Sequence, residues 1–193
     1  LVKNSLRMRP ERILVGEVRG EEAQDLMTAI NLGKYCMGTL HASTARETIL
    51  RLQNQPMNVP PVLVSLVDVF IILRKLNQDG RITRLATEVV ETCGMERDVV
   101  LLGTVWAYDY ERHQIVEASP SSSYRDRLSA ESGLPAVRMM QETSRRAKIL
   151  KLMHANGGFP TIAAVTKFCQ LYSDQPEQAL AQLGVKPSDL AKR

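Results

Sequence analysis

Two short apolar runs, Arg12-Ile-Leu-Val-Gly16 and Tyr35-Cys-Met-Gly-Thr-Leu40, stand either side of a helical stripe, and this order constrains the fold more than any other feature. The first is a continuous apolar run of the kind that marks a strand buried on both faces. Glu21 and Glu22 then open a segment with Ala23, Leu26, Met27 and Ile30 at i, i+3, i+4 and i+7. That spacing predicts an amphipathic helix with acids near its positive N-terminal dipole, and Gly33 is placed to end it. The second run reads as the next strand, and Thr44-x-x-Glu47 is a capping-box pattern for a helix carrying Ala45, Ile49 and Leu52. This β-α-β-α alternation predicts an α/β fold on a parallel sheet, with ligands at the C-terminal ends of its strands.

Ser5 to Arg9 reads as a helix end stopped by Pro10. Pro56, Pro60 and Pro61 punctuate the segment after the alternation. Val67 to Leu73 is then a β-branched strand candidate, Asn77-Gln-Asp-Gly80 a turn, and Arg81 to Glu91 the partner strand. A second hairpin pairs Val99 to Ala107 with His113 to Glu117 through Asp109-Tyr-Glu-Arg112. Both hairpins are expected to extend the sheet edge.

From Ser119 the pattern turns helical. Pro120-Ser-Ser-Ser123 is a turn, followed by helices over Tyr124 to Ser132 and Pro135 to about Ala155, the latter with a stripe of Val137, Met140, Ser144, Ala147 and Leu150 and ended by Gly157-Gly158. Ile162, Val165, Phe168, Cys169 and Tyr172 form another stripe after Thr161, and Asp174-x-x-Glu177 is a cap for a last helix ending near Gly184. The expected domains are a partial α/β core with edge strands over residues 1–118 and a helical subdomain over 119–193. The helical stripes are expected to pack on the core, with a partner groove as the other option.

With 44% hydrophobic and 24% charged residues over 193 positions, the chain has an ordinary globular composition. The longest apolar run, Val62 to Leu73, is interrupted by Ser65 and Asp68 and is too short to cross a bilayer. Cys36, Cys93 and Cys169 are odd in number and lack C-x-x-C spacing, which argues against a disulfide framework or zinc site and makes a reducing cytoplasm the expectation. The net charge of +4 is spread along the chain with few interleaved aromatics, so nucleic acid is not an expected partner. The first residues lack an initiator Met and a signal-peptide apolar region, which reads as the cut end of a longer chain.

Glu17 follows the first strand, where a carboxylate is held rigidly at the ligand edge of an α/β sheet. It can hold a Mg²⁺-bound water or orient the water that attacks a γ-phosphate; it can equally be a strand-end acid paired with Arg19. His41 follows the second strand among Thr39, Ser43 and Thr44, and its imidazole can meet a phosphate oxygen or a water held by Glu17, or simply cap a loop. Arg7, Arg9, Arg12 and Arg19 can neutralise phosphate charge or form an intersubunit surface. His113 and His154 read as surface residues. No stretch matches the phosphate-cradling pattern G-x-x-x-x-G-K-[ST]; around Gly33-Lys34, Thr28 stands in place of the first glycine and Tyr35 in place of the Mg-binding hydroxyl.

Leu6-Arg-Met-Arg-Pro-Glu-Arg-Ile-Leu-Val-Gly-Glu-Val-Arg-Gly20 resembles the Walker B segment of the secretion ATPase superfamily, and Gly38-Thr-Leu-His-Ala-Ser-Thr-Ala45 resembles its histidine box. These are the motors of type II and type IV secretion, type IV pili and archaella, and the texture is similar to the archaeal type II secretion ATPase E-like branch. The resemblance is closest over residues 1 to about 55. It implies the C-terminal part of a RecA-like P-loop core with β-hairpin extensions and a helical subdomain. It further implies Glu17 as the Walker B glutamate serving Mg²⁺ through water, the attacking water, or both, since Gly16 stands where many other P-loop enzymes have an aspartate. His41 becomes the histidine-box residue, Arg19 the arginine ending the Walker B segment, and Thr39 a further nucleotide-site residue. ATP and Mg²⁺ as cofactors, a hexameric ring of identical subunits, a membrane platform partner and a cytoplasmic site at the inner face of the membrane follow from the same resemblance. The P-loop and acidic box would lie upstream, so the isolated chain is expected to be inactive. A naturally short, non-hydrolysing scaffold paralogue is the alternative, and a basic nucleic-acid-binding domain, resting on charge alone, is a third reading.

Overall fold

The parallel strand pair is formed as the alternation predicts. In the computed structural model, which describes residues 1–78 and 80–186, β1 (Arg12–Val15) pairs in parallel with β2 (Tyr35–Gly38), in the register Arg12↔Tyr35 to Val15↔Gly38. A short α1 (Val2–Arg7) precedes them and stops ahead of Pro10, Arg9 taking a φ of 50°. The crossover helix α2 (Glu22–Asn31) buries Ala23, Leu26, Met27 and Ala29, with Ile30 half-buried against the same core. It ends as glycine placement requires: Gly33 has φ 77°, its N–H donates to Ile30 O at 2.8 Å and Lys34 N–H donates to Ala29 O at 3.1 Å, a Schellman arrangement that satisfies two terminal carbonyls.

Helix α3 (Ala45–Gln53) buries Ala45, Thr48, Ile49 and Leu52. Its N-cap is Thr44, whose Oγ1 accepts from Glu47 N–H at 3.1 Å, while the Glu47 carboxylate accepts from Ser43 N–H at 2.7 Å, one residue ahead of the usual capping-box partner. Thr44→Ala is expected to cost about 0.5–2 kcal/mol in urea unfolding, with Thr44→Ser recovering most of it; equal stability of all three proteins would remove the cap from the account.

The two hairpins depart from expectation. After α4 (Pro61–Val64), strands β3 (Val69–Gln78), β4 (Arg81–Glu96), β5 (Val99–Asp109) and β6 (Gln114–Glu117) form their own antiparallel sheet in the order β3-β4-β5-β6, separate from β1-β2. The reason is mutual satisfaction: β4 is 16 residues long and pairs with β3 on one side and β5 on the other. The sheets share side chains rather than a ladder, because Phe70, Ile72, Val90 and Val100 lie in one core with Ile13, Leu26, Ile49 and Leu52. Arg46 ties α3 to β5 by donating from Nη1 to Val100 O at 3.1 Å. The turn expected over Asn77–Gly80 includes Asp79, which lies outside the described residues.

One face of the parallel pair is left open. Leu14 and Met37 are register partners and both are exposed, as is Tyr35 beside them. Parallel strands are ordinarily covered on both faces, so this face is unusual in an α/β fold.

The chain divides into two compact units, Leu1–Tyr124 and a second beginning at Arg125. At the end of the first, the buried Glu91 carboxylate accepts from Ser122 Oγ at 2.5 Å and Tyr124 N–H at 3.2 Å, receiving the start of α5 (Ser123–Ser132). The second unit contains α6 (Ala136–Asn156), α7 (Ile162–Asp174) and α8 (Pro176–Gln182) around Ile149, Met153, Phe168, Ala179, Leu180 and Leu183. Gly157 ends α6 at φ 61°, and Thr161 caps α7 by accepting from Ala164 N–H at 3.2 Å. The cap of α8 is Gln175 with Pro176 in the first turn, not Asp174. Residues 187–193 of the expected helical subdomain lie outside the described residues.

Two packing expectations for the helices also change. Val165, Phe168 and Tyr172 of the α7 stripe pack as expected, joined by Leu171, whereas Ile162 and Cys169 are exposed. The stripe expected to pack α6 is exposed as well; its packed side carries Ile149 and Met153.

Candidate functional site

The parallel register carries past the ends of both strands and so assembles the site. Val18 N–H donates to Thr39 O at 2.9 Å, and Thr39 Oγ1 donates to Gly16 O at 2.5 Å, so the two strand-end loops are stitched together. Val18 is itself buried and anchors its loop. Gly38 is needed close by: a Cβ there would lie 3.2 Å from Leu26 Cδ2 and from Val18 Cγ2, tighter than ordinary contact. With the loops held this way, Glu17 and His41, 24 positions apart in the chain, meet. His41 Nε2 lies 2.7 Å from Glu17 Oε1, and Arg19 Nε lies 2.5 Å from the same oxygen.

The site is a surface one with a covered acid. Glu17 is 30% exposed against 73% for Arg19 and 78% for His41, so the guanidinium and the imidazole roof the carboxylate. Oε1 is buried and within ion-pair reach of both, yet neither contact has good hydrogen-bond geometry. The carboxylate is thus held by charge from two sides at one oxygen. Such an atom fits a metal-bound water or an attacking water. One carboxylate acting through water also suits Mg²⁺, which keeps several waters and takes few protein ligands. No group of three or more His, Cys, Asp or Glu that could cage a metal occurs among the described residues.

Electrostatics hold the acid ionised. The Arg19 guanidinium bonded to it, with His41 adding a smaller contribution, places the Glu17 carboxyl below the usual glutamate value of 4.5, against the opposing effect of desolvation. Because the folded value is depressed, the interaction is fully present above the unfolded value and is lost as pH falls through the folded one. A carboxyl ¹³C titration is expected to show Glu17 moving up toward 4.5 in Arg19→Gln; an identical titration in both proteins would show that Arg19 is not the cause. A carboxylate this acidic is a weak proton acceptor at neutral pH, so orientation of water suits it better than outright deprotonation.

Supporting residues were less visible in the sequence. The Glu22 carboxylate accepts from Arg19 N–H at 2.6 Å and Gly20 N–H at 3.0 Å, which fixes the turn from which Arg19 projects and holds the Glu22 carboxyl below its usual value. An acid early in a helix signalled only the dipole, not this turn. A cleft of about 440 Å³ opens beside the site, lined by Arg19, His41, Leu50 and Arg51 of α3, Pro56 and Met57. Gln24 Nε2 secures the Met57 segment of that lining by donating to Met57 O and Asn58 O, each at 3.1 Å. Thr39 is brought to the site, but its hydroxyl proton is committed to Gly16 O. Arg12 is not brought there: it lies at the opposite end of β1, over the Tyr35 ring.

The fold and site define an α/β domain in which an acid, an imidazole and a guanidinium meet at the C-terminal end of a parallel strand pair. The chain belongs to the type II/IV secretion system protein family, whose sequence model matches residues 1–163. This bears out the resemblance to the secretion ATPase superfamily. An uncharacterized protein of Methanocaldococcus jannaschii is 32% identical over 154 residues, 78% of this chain and 56% of that protein. A protein of Sinorhizobium fredii described as probable conjugal transfer protein TrbB is 33% identical over 90 residues, 42% of this chain and 27% of its own length. The type IV pilus ATPase PilU of Pseudomonas aeruginosa is 40% identical over 52 residues, 26% of this chain and 14% of its own length. The chain thus spans about half, or less, of the relatives it matches. No helix among the described residues is long and apolar enough to cross a membrane.

Proposed function

We propose that this chain supplies the water-orienting part of an ATP site in a ring-forming motor that couples Mg-ATP hydrolysis to secretion or to assembly of a pilus or archaellum filament. The observation that carries the reading is the meeting of Glu17 and His41 at 2.7 Å on the ligand edge of the parallel pair. Glu17, kept ionised by Arg19, positions the attacking water through its carboxylate. His41 stands where it can bond that water or a γ-phosphate oxygen, and Arg19 adds positive charge beside the transferring group. Little covalent chemistry is required of the protein in phosphoryl transfer, so positioning and charge suffice. Mg²⁺, when bound, neutralises developing phosphate charge, and Glu17 would hold it through water.

Phosphate cradling is assigned to a P-loop on polypeptide outside these 193 residues, which contain no such pattern. The open face at Leu14, Tyr35 and Met37 is where a further layer of the RecA-like core would pack. Identical subunits in a hexamer, a membrane platform protein and a cytoplasmic position at the inner face of the membrane complete the proposal, with no nucleic acid involved. The test is Mg-ATP turnover and particle mass of the full-length protein joining these residues to a P-loop. A monomer without turnover, seated on a separate ATPase ring, would replace the motor reading with the scaffold one.

A further inference from the structure

The hairpin of β3 and β4 runs out past the rest of its sheet. β4 pairs with β5 only from Glu88 onward, so residues 73–78 and 81–86 pair with each other and with no further strand. None of the aliphatic side chains of this ribbon belongs to either hydrophobic core, and Leu73 and Ile82 are 73% and 57% exposed. The ribbon carries Arg74, Lys75, Arg81 and Arg84 and no acid; Asp79 of the turn lies outside the described residues. None of the four bases makes an ion pair among the described residues.

Register sorts these side chains onto two faces. Lys75 and Arg84 are directly opposed partners, with Leu73↔Ala86 two places to one side and Asn77↔Ile82 two places to the other. Period-two alternation puts Leu73, Lys75, Ile82 and Arg84 on one face, and Arg74 and Arg81 on the reverse. Like charges set directly across a strand pair weaken it, and a two-stranded ribbon without a core is marginal in water. Bases on an open strand edge guard against strand addition, but that leaves the bare Leu73 and Ile82 beside them without a role. An anionic bilayer surface suits both. Lys and Arg reach headgroup phosphates while their stems lie among apolar chains, and each base near such a surface adds to the attraction. A nucleic acid would meet no aromatic ring on the ribbon for its bases to stack on.

We propose that the ribbon face carrying Leu73, Lys75, Ile82 and Arg84 docks on an anionic lipid bilayer. The inference rests on the ribbon and is independent of the Glu17–His41 site. The test is co-sedimentation of the full 193-residue chain with vesicles containing phosphatidylglycerol, with pure phosphatidylcholine vesicles as the control. These vesicles hold no platform protein, so failure here and failure of the platform partner proposed above are read separately. Binding to the anionic vesicles alone is expected, falling as salt rises. Lys75→Gln with Arg84→Gln is expected to weaken it at least about tenfold, and Arg74→Gln with Arg81→Gln, on the reverse face, by less than about threefold. Leu73→Ser with Ile82→Ser is expected to weaken it as well. Each variant should keep its Tm within about 2 °C, since the changes lie outside both cores. No binding to anionic vesicles, or equal binding to both kinds, would overturn the proposal whatever the variants do. Equal losses from the two pairs of bases would reduce it to general charge attraction and overturn it too. Tighter binding to duplex DNA than to vesicles would replace the bilayer with a nucleic acid.

Discussion

Glu17→Gln, in the full-length protein proposed to join these residues to a P-loop, is expected to lower Mg-ATP turnover by about 100-fold or more while leaving ATP binding nearly intact. The amide keeps the shape of the side chain but loses the charge that engages Arg19 and His41 and the acceptor symmetry that orients water. Phosphate affinity should survive because it is assigned to backbone amides and Lys of the P-loop. His41→Ala is expected to reduce turnover in the same direction. Stability should change within about 0.5 kcal/mol for either, since Glu17 is partly and His41 largely exposed. Wild-type turnover in both variants, with Mg-ATP binding retained, would remove these residues from the chemistry.

Leu52→Ala carries the largest expected effect on folding, about 2–5 kcal/mol in equilibrium denaturation. Leu52 is 1% exposed on the buried side of α3, in the core that joins both sheets. The loss would be a large share of the roughly 5–15 kcal/mol that holds an ordinary domain together. It also bears on the site, because the same helix lines the cleft through Leu50 and Arg51 and begins just after the His41 loop. A cost below about 1 kcal/mol would mean that this core collapses around the missing side chain, or that α3 is not anchored there.

Much of the first unit was legible because its signals are local. The apolar run before Glu17, the 3.6-residue stripe of α2, Gly33 after it and Thr44 before α3 each act within a few residues, and each is found where the pattern put it. The α6 stripe was misread for the opposite reason. Val137, Met140 and Leu150 share a side, but so do Ile149 and Met153, and periodicity alone does not say which side Phe168 and Leu180 will meet. The hairpins were read as strands and turns correctly, yet their sheet was not, since alternation within a strand carries no record of which backbone edge it will join.

The sequence by itself determined the elements, the parallel pair and the residue types at its C-terminal ends, because local propensity, capping and strand alternation are set by near neighbours. Tertiary structure alone decided that Arg19 and His41 converge on one Glu17 oxygen, that Glu22 fixes the turn carrying Arg19, that Gln24 holds the Met57 segment of the cleft, and that α6 turns an apolar side outward. Those are long-range outcomes of strand register and packing, and register becomes physical only when Val18 and Thr39 bond across the two loops.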